Sequence, residues 1–291
     1  MKKTKIEWAD MTWNPITGCQ HGCEYCYARR IVKRFVRDED AEVNSRPFKR
    51  INKYDVNSPI DLDTPLYKTP DCKRRIPFPF GFIPTLYRYK LDETQRVKKP
   101  QNIFVCSMAD LFGDWIPDEW IKVVLGACAT APWHRYLFLT KNPYRYFPVI
   151  EYLENDDFEL PKEANENFQM WFGATATNEN QLYEANDSPA NWLCIEPLAE
   201  DISGAFEECV VLTKIWDMSG SIRDYPRWTW IIVGAETGNR KGKVVPKREW
   251  IEEIVKGCQE TETPLFMKNS LAKIWGEPLI QEYPDWLLMK G

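Results

Sequence analysis

"NIFVCSMAD", residues 102–110, reads as a strand with a polar end. Ile103, Phe104, Val105 and Cys106 are apolar in succession, without the alternation of a half-exposed strand. Such a run suits a strand covered on both faces, as in a parallel sheet. Ser107 and Asp110 close it. The same plan recurs in "RYLFLTKN" (135–142), "MWFGATATN" (170–178), "NWLCIEPL" (191–198), "WIIVGAETG" (230–238) and "PLFMKN" (264–269). These runs finish in Thr140 and Lys141, Thr175 and Thr177, Glu196, Glu236 and Thr237, and Lys268 and Asn269.

Helical periodicity fills the gaps. "IPDEWIKVVLGACATA" (116–131) has Pro117 near its start and Trp120, Val123, Val124 and Ala127 on one face. "VPKREWIEEIVKGCQE" (245–260) repeats the pattern with Pro246, then Trp250, Ile251, Ile254, Val255 and Cys258. Alternating β and α segments imply parallel strands joined by helical crossovers. With "TWNPIT" (12–17) the strands number about seven, one short of a full eight-stranded barrel. The expected fold class is therefore α/β, a partial (β/α) TIM-like barrel. In such barrels the C-terminal strand ends form the active-site face. One polar strand end is ordinary punctuation, whereas six of mixed charge suggest a polar cavity. Each of them also suits a helix cap or a structural salt bridge.

The chain of 291 residues is expected to form one such domain over 1–291. Residues 38–100 break the repeat. They are charged, proline-rich and dotted with aromatic patches such as "PFPFGF" (77–82), and read as an insertion or lid. Residues 270–291 read as a C-terminal extension. No apolar run is long enough to cross a bilayer. The start "MKKTKIEWAD" lacks the apolar core of a signal peptide, so a cytoplasmic location without a membrane partner is expected. The net charge of -5 counts against a broad nucleic-acid-binding surface. Basic residues still concentrate in 29–37, 46–53 and 72–75. These segments suit solvated faces, or the approach of an anionic substrate.

Nine cysteines occur, and only Cys19, Cys23 and Cys26 cluster, in "GCQHGCEYCYA" (18–28). An odd, scattered set argues against a disulfide framework. Cys106, Cys128, Cys194 and Cys258 fall in apolar or helical patterns, where cysteine is ordinarily an inert core residue. With only His21 and His134 present, histidine-based catalysis has little material. A structural zinc site needs four ligands. His21 sits awkwardly between Cys19 and Cys23, which leaves a remote residue such as Cys72 as the fourth. An iron–sulfur cluster on three thiolates would instead keep one iron without a protein ligand, open to substrate or cofactor.

The spacing Cys-x3-Cys-x-aromatic-Cys, here Cys19, Cys23, Tyr25 and Cys26, resembles the signature of the radical S-adenosylmethionine superfamily. "KIEWADMTWNPITGC", "CEYCYA", "IFVCSMADLFGDWIPDEW", "FLTKNP", "IEPL" and "IIVGAETG" further resemble an uncharacterised radical-SAM-like family whose members are often labelled phage proteins. Many members of that family space the first two cysteines more widely. The resemblance implies a [4Fe–4S] cluster on Cys19, Cys23 and Cys26, with S-adenosylmethionine chelating the fourth iron. One electron then cleaves the cofactor to a 5′-deoxyadenosyl radical, which abstracts hydrogen from a substrate. It also implies an electron donor such as flavodoxin or ferredoxin.

Further roles follow from the resemblance and from strand-end position. Tyr25 takes the aromatic place beside the adenine. The superfamily commonly binds the methionyl amino group at the second strand. Here that strand ends in Ser107-Met108-Ala109-Asp110 rather than the familiar glycine–glycine–glutamate, so Ser107 and Asp110 are its candidates. Lys141 suits the methionyl carboxylate, Thr175 and Thr177 the ribose or carboxylate, and Glu196 the ribose hydroxyls or substrate. Glu236 and Lys268 are the candidate catalytic acid and amine, or else a structural ion pair. The substrate class stays open among nucleotides, nucleic-acid bases and small metabolites. The alternative is a non-enzymatic metal-binding or nucleic-acid-binding protein on a degenerate barrel.

Overall fold

A computed structural model describes residues 1–35, 58–68, 74–155, 169–216, 222–276 and 278–288. The chain divides into two compact units. Among the described residues, unit 1 comprises 1–136 with 169, and unit 2 comprises 137–155 and 170–288.

Unit 1 contains β1 (Lys2–Lys3), β2 (Met11–Trp13), β3 (Ile16–Thr17), α1 (Tyr27–Lys33), β4 (Ile60–Leu62) and β5 (Thr85–Tyr87). A 3-10 turn over Arg88–Glu93, β6 (Asn102–Val105) and α2 (Asp118–Ala129) follow. Strand β7 (Arg135–Thr140) carries the chain into unit 2. β2 runs antiparallel to β1 and parallel to β6, with Trp13 opposite Val105. β5 pairs antiparallel with β3 and parallel with β4.

The expected strand 12–17 is thus two strands in two sheets. The break is Asn14-Pro15, and Pro15 has no N–H to give a ladder. Its carbonyl accepts from Tyr87 N at 2.7 Å, which draws β5 in. Asn14 Oδ1 accepts from Met108 N at 2.9 Å and Ser107 Oγ at 3.2 Å, tying this break to the residues after β6.

β4, β5 and the 3-10 turn all fall within 38–100, the segment expected as an insertion or lid. Here they are part of unit 1's framework: β5 pairs with β3, immediately ahead of the cysteine loop, and the Lys90 carbonyl accepts from Trp13 Nε1 at 2.9 Å. Residues 38–57 and 69–73 of that segment, Cys72 among them, lie outside the described residues, as do the basic stretch 46–53 and parts of 29–37 and 72–75. Trp13, Ile16, Leu86, Ile103, Phe112 and Tyr136 are buried. α2 adds Trp120, Ile121, Val124, Leu125 and Cys128, a stripe at helical spacing. Asp118 and Glu119 in its first turn oppose the positive end of the helix dipole.

Unit 2 contains α3 (Tyr146–Glu154), β8 (Gln169–Thr175), α4 (Glu179–Asn186), β9 (Trp192–Ile195) and α5 (Ser203–Cys209). It continues with β10 (Leu212–Trp216), β11 (Ile222–Pro226), β12 (Ile231–Val233), α6 (Arg248–Glu260) and β13 (Leu265–Met267), then α7 (Ala272–Trp275) and α8 (Asp285–Leu288). β8, β9, β12 and β13 form a parallel ladder in which Ile195, Val233 and Met267 stand in one row. β10 and β11 pair antiparallel, a ribbon outside the repeat. β9, β12 and β13 are buried at every residue, as continuous apolar runs require. α6 buries Ile251, Ile254, Val255 and Cys258.

Within the expected C-terminal extension, Met267 N donates to Ile280 O at 2.7 Å. Trp286 stacks on Trp171 with ring centroids 3.8 Å apart. Residues 270–288 are therefore packed against the ladder they follow, except for position 277, which lies outside the described residues.

Candidate functional site

The cysteine loop of unit 1 is shaped from both ends. Gly18 has φ +93°, and its N–H donates to Met108 O at 3.0 Å. A β-carbon on Gly18 would stand 2.4 Å from the Ile83 carbonyl oxygen, so the loop starts where only glycine fits. Gly22, φ +71°, makes a second left-handed turn between Cys19 and Cys23. At the far end Cys26 caps α1, and its Sγ accepts from Arg29 N at 3.3 Å. The Arg29 guanidinium reaches back to Cys19 O at 3.1 Å and lies 4.7 Å from the centre of the Phe82 ring. Main chain, helix start and one arginine thus fix where the thiols sit.

All three cysteines are free of disulfides and half-buried. Burial pushes the Cys19 thiol up to about 12. A hydrogen bond from the His21 backbone lowers it, while the charges of Asp110, Cys23 and Cys26 raise it further. Cys19 is therefore within electrostatic reach of both other thiols and of a carboxylate. Crowding of this kind disfavours thiolates until a cation arrives, and a coordinating metal reverses the sign. Among the described residues, no three His, Cys, Asp or Glu side chains are placed to hold a metal ion together. A cluster asks for a different arrangement, with each thiolate on its own iron. The donor set, three unbridged thiols with N–H donors at Cys19 and Cys26, fits such a group.

The second-strand candidates lie beside this loop. Cys106, at the end of β6, has φ +58°. This left-handed kink in a residue that is not glycine costs about 1–3 kcal/mol. It turns Ser107-Met108-Ala109-Asp110 towards the loop, where Ala109 bridges to Gly18. Ser107 Oγ donates to Asn14 Oδ1, and its carbonyl accepts from Tyr27 OH. Asp110 is buried. Its Oδ2 lies 2.7 Å from His21 Nε2 and its Oδ1 accepts from Phe112 N at 3.0 Å. Tyr25 is half-buried, and its carbonyl accepts from Arg30 Nη2.

The remaining candidates belong to unit 2. Lys268 Nζ lies 2.5 Å from Glu196 Oε1. Glu196 follows β9, Gly234 follows β12 and Lys268 follows β13, in one row of the ladder. A β-carbon on Gly234 would stand 3.1 Å from Lys268 Cδ and 3.3 Å from Glu196 Cγ, so the pair closes over a position without a side chain. The Lys141 ammonium nitrogen is buried. Burial raises the Cys194 thiol, Glu196 adds to that, and Lys268 and Lys141 oppose it, which puts all three charges within reach of one strand end. Thr175 and Thr177 are buried, and Thr177 donates through both N and Oγ1 to Gln181 Oε1 at 2.9 Å.

Glu236 is paired with a residue of its own loop. Both its oxygens take Arg240, Nε to Oε1 and Nη2 to Oε2 at 2.8 Å each. The acid and amine paired at hydrogen-bond distance are thus Glu196 and Lys268. Sequence reasoning set aside His21, and did not single out Arg240, Asn14 or Gly234. Arg240 stood four residues from Glu236, a signal in plain view. Nothing local announced the His21–Asp110 contact across 89 positions.

A family described as a protein of unknown function, DUF5131, matches residues 3–279, and the chain belongs to that family. No curated protein and no solved structure matches it.

Proposed function

We propose that this chain is a radical S-adenosylmethionine enzyme whose [4Fe–4S] cluster is held by Cys19, Cys23 and Cys26, on a fold of the partial (β/α) barrel type. The observation that carries the reading is the cysteine loop: three unbridged thiols between a glycine-only turn at Gly18 and the first turn of α1. When bound, the cluster and S-adenosylmethionine supply one-electron cleavage of a sulfonium and hydrogen-atom abstraction from a substrate. The parallel β/α order within each unit supports the fold.

The protein's part is to hold and to shield. Cys26 gains a main-chain N–H from Arg29, and the main-chain hydrogen bond from His21 works against the burial that raises the Cys19 thiol. Ser107 and Tyr27 fix the turn after β6 against the loop. In unit 2, Lys268 holds a proton at Nζ beside Glu196, which makes this pair the candidate proton carrier in place of Glu236 with Lys268. Glu236, held by Arg240 on both oxygens, has a positioning role. Lys141, Thr175 and Thr177 are retained as polar contacts for cofactor or substrate, and Tyr25 as the adenine neighbour.

A reducing partner such as flavodoxin or ferredoxin belongs to this reading, as does a cytoplasmic location. Among the described residues, no helix is long and apolar enough to cross a membrane. The test is anaerobic reconstitution with iron and sulfide, followed by dithionite and S-adenosylmethionine, with 5′-deoxyadenosine assayed by mass. Product from the wild type and none from the triple alanine variant of Cys19, Cys23 and Cys26 is expected. A well-formed cluster that never cleaves the cofactor, with or without candidate substrates, overturns the enzyme and leaves a metal-binding protein.

A further inference from the structure

Between the first two cysteines stands a residue that the proposed chemistry does not use. His21 is two positions from Cys19 and two from Cys23, and its side chain is fixed from two sides. Nε2 lies 2.7 Å from Asp110 Oδ2. The ring meets Trp115 edge-on, with centroids 4.8 Å apart at 83°. Asp110 is fixed in turn: its side chain is 7% exposed and Oδ1 takes the Phe112 N–H. A buried carboxylate is thus latched, through one imidazole, to the centre of the stretch that joins two metal ligands.

We propose that Asp110, acting through His21, is a positioning residue that sets the reduction potential of the centre on Cys19, Cys23 and Cys26; this rests on the cluster reading above. The physical basis is charge. Reduction brings one electron from dithionite into the cluster and adds one negative charge to it. A fixed carboxylate in a poorly solvated place opposes that addition, and net charge and hydrogen bonding around the sulfurs set cluster potentials. Asp110 is close enough for its charge to be felt at Cys19. The cations bonded to the loop are already engaged, Arg29 on the Cys19 carbonyl and the face of Phe82, and Arg30 on the Tyr25 carbonyl. Partners behind a ligand both orient it and tune the metal, and the main chain of His21, the residue that Asp110 latches, is itself a hydrogen-bond partner of Cys19.

The experiment is a potentiometric titration with dithionite, followed by EPR, on anaerobically reconstituted wild type, Asp110→Asn, Asp110→Glu and His21→Gln, with iron and sulfide measured for each. Asp110→Asn, which keeps the shape and removes the charge, is expected to hold wild-type iron and to reduce at a more positive potential. Asp110→Glu is expected to move back towards the wild-type value. An Asp110→Asn centre with full iron at the wild-type potential overturns the proposal and leaves the contact as a structural tie. Should Asp110→Asn fail to hold iron, His21→Gln decides, because it leaves Asp110 on Phe112. A shifted potential there supports the link, and an unshifted one overturns it. Wild type that takes up no cluster overturns the parent reading and this one with it. Wild type with a cluster and variants without a shift overturns this one alone.

Discussion

Lys268 and Glu196 meet over Gly234, with Nζ 2.5 Å from Oε1 and the lysine stem 3.1 Å from where a β-carbon on Gly234 would stand. Three successive strand ends, of β9, β12 and β13, cooperate in this: the outer two carry the charges and the middle one leaves the room. The side chains are 27% and 16% exposed for Glu196 and Lys268. That places the pair between a surface ion pair and a fully buried one.

A double-mutant cycle on Glu196→Gln and Lys268→Met follows from that geometry. Exposed pairs couple by about 1 kcal/mol or less. Removing one partner of a buried pair costs about 3–5 kcal/mol. The expected coupling is about 1–2 kcal/mol, read from urea denaturation of the four proteins. Additive single effects would mean that the two groups do not support each other.

The two glycines of the cysteine loop separate strain from collision. Both have positive φ, but a β-carbon at Gly22 meets nothing nearer than 4.0 Å, whereas at Gly18 it meets the Ile83 carbonyl at 2.4 Å. Gly22→Ala is expected to cost about 1–2 kcal/mol, the left-handed backbone penalty alone. Gly18→Ala adds overpacking of about 1–3 kcal/mol to the same penalty. The metal-free proteins, compared in urea, should rank wild type, then Gly22→Ala, then Gly18→Ala. Equal losses would contradict the packing at Ile83.

Alkaline pH should destabilise the reduced, metal-free protein. Burial pushes the thiols of Cys106 and Cys258 up to about 12 each, from an ordinary value of 9.0. In the unfolded chain these thiols ionise near the ordinary value, while in the folded chain they stay protonated. The unfolded state therefore holds fewer protons between the two values, and stability falls as pH rises. The contribution is complete below pH 9 and drains as pH climbs towards 12. At pH 10.5 the loss is on the order of 1–2 kcal/mol per thiol relative to pH 7. Cys258→Ala should flatten the pH profile by its own share, and an unchanged slope would contradict the assigned burial effect.

The strands that stood out most plainly in the sequence are those buried at every residue. β9, β12 and β13 have no polar face to confuse the period, so their apolar runs stand out. β4 and β5 are three residues each in a segment dense with charge and proline, and the pairing of β5 with β3 and of β4 with β5 is fixed by tertiary contacts rather than local pattern. The split of β2 from β3 was written in Pro15, whose missing N–H breaks the ladder.

In the site, the cysteine spacing and the polar strand ends were legible because both are local. The partner of Asp110 was not, since proximity to His21 comes from the Cys106 kink and the turn at Gly18 acting together. The Arg240 partner of Glu236 was missed for a different reason. Strand-end position says that a carboxylate is near a cavity, but not which cation already claims it, and here Arg240 does.

The central claim is that three thiolates hold a cluster with one iron left open. The measurement closest to it is EPR of the reduced, reconstituted protein before and after S-adenosylmethionine is added, with iron and sulfide counted on the same sample. A full [4Fe–4S] complement per chain, and a spectrum that changes when the cofactor is added, is the predicted result. A full cluster whose spectrum ignores the cofactor, or a site that binds zinc and no iron, would contradict the account.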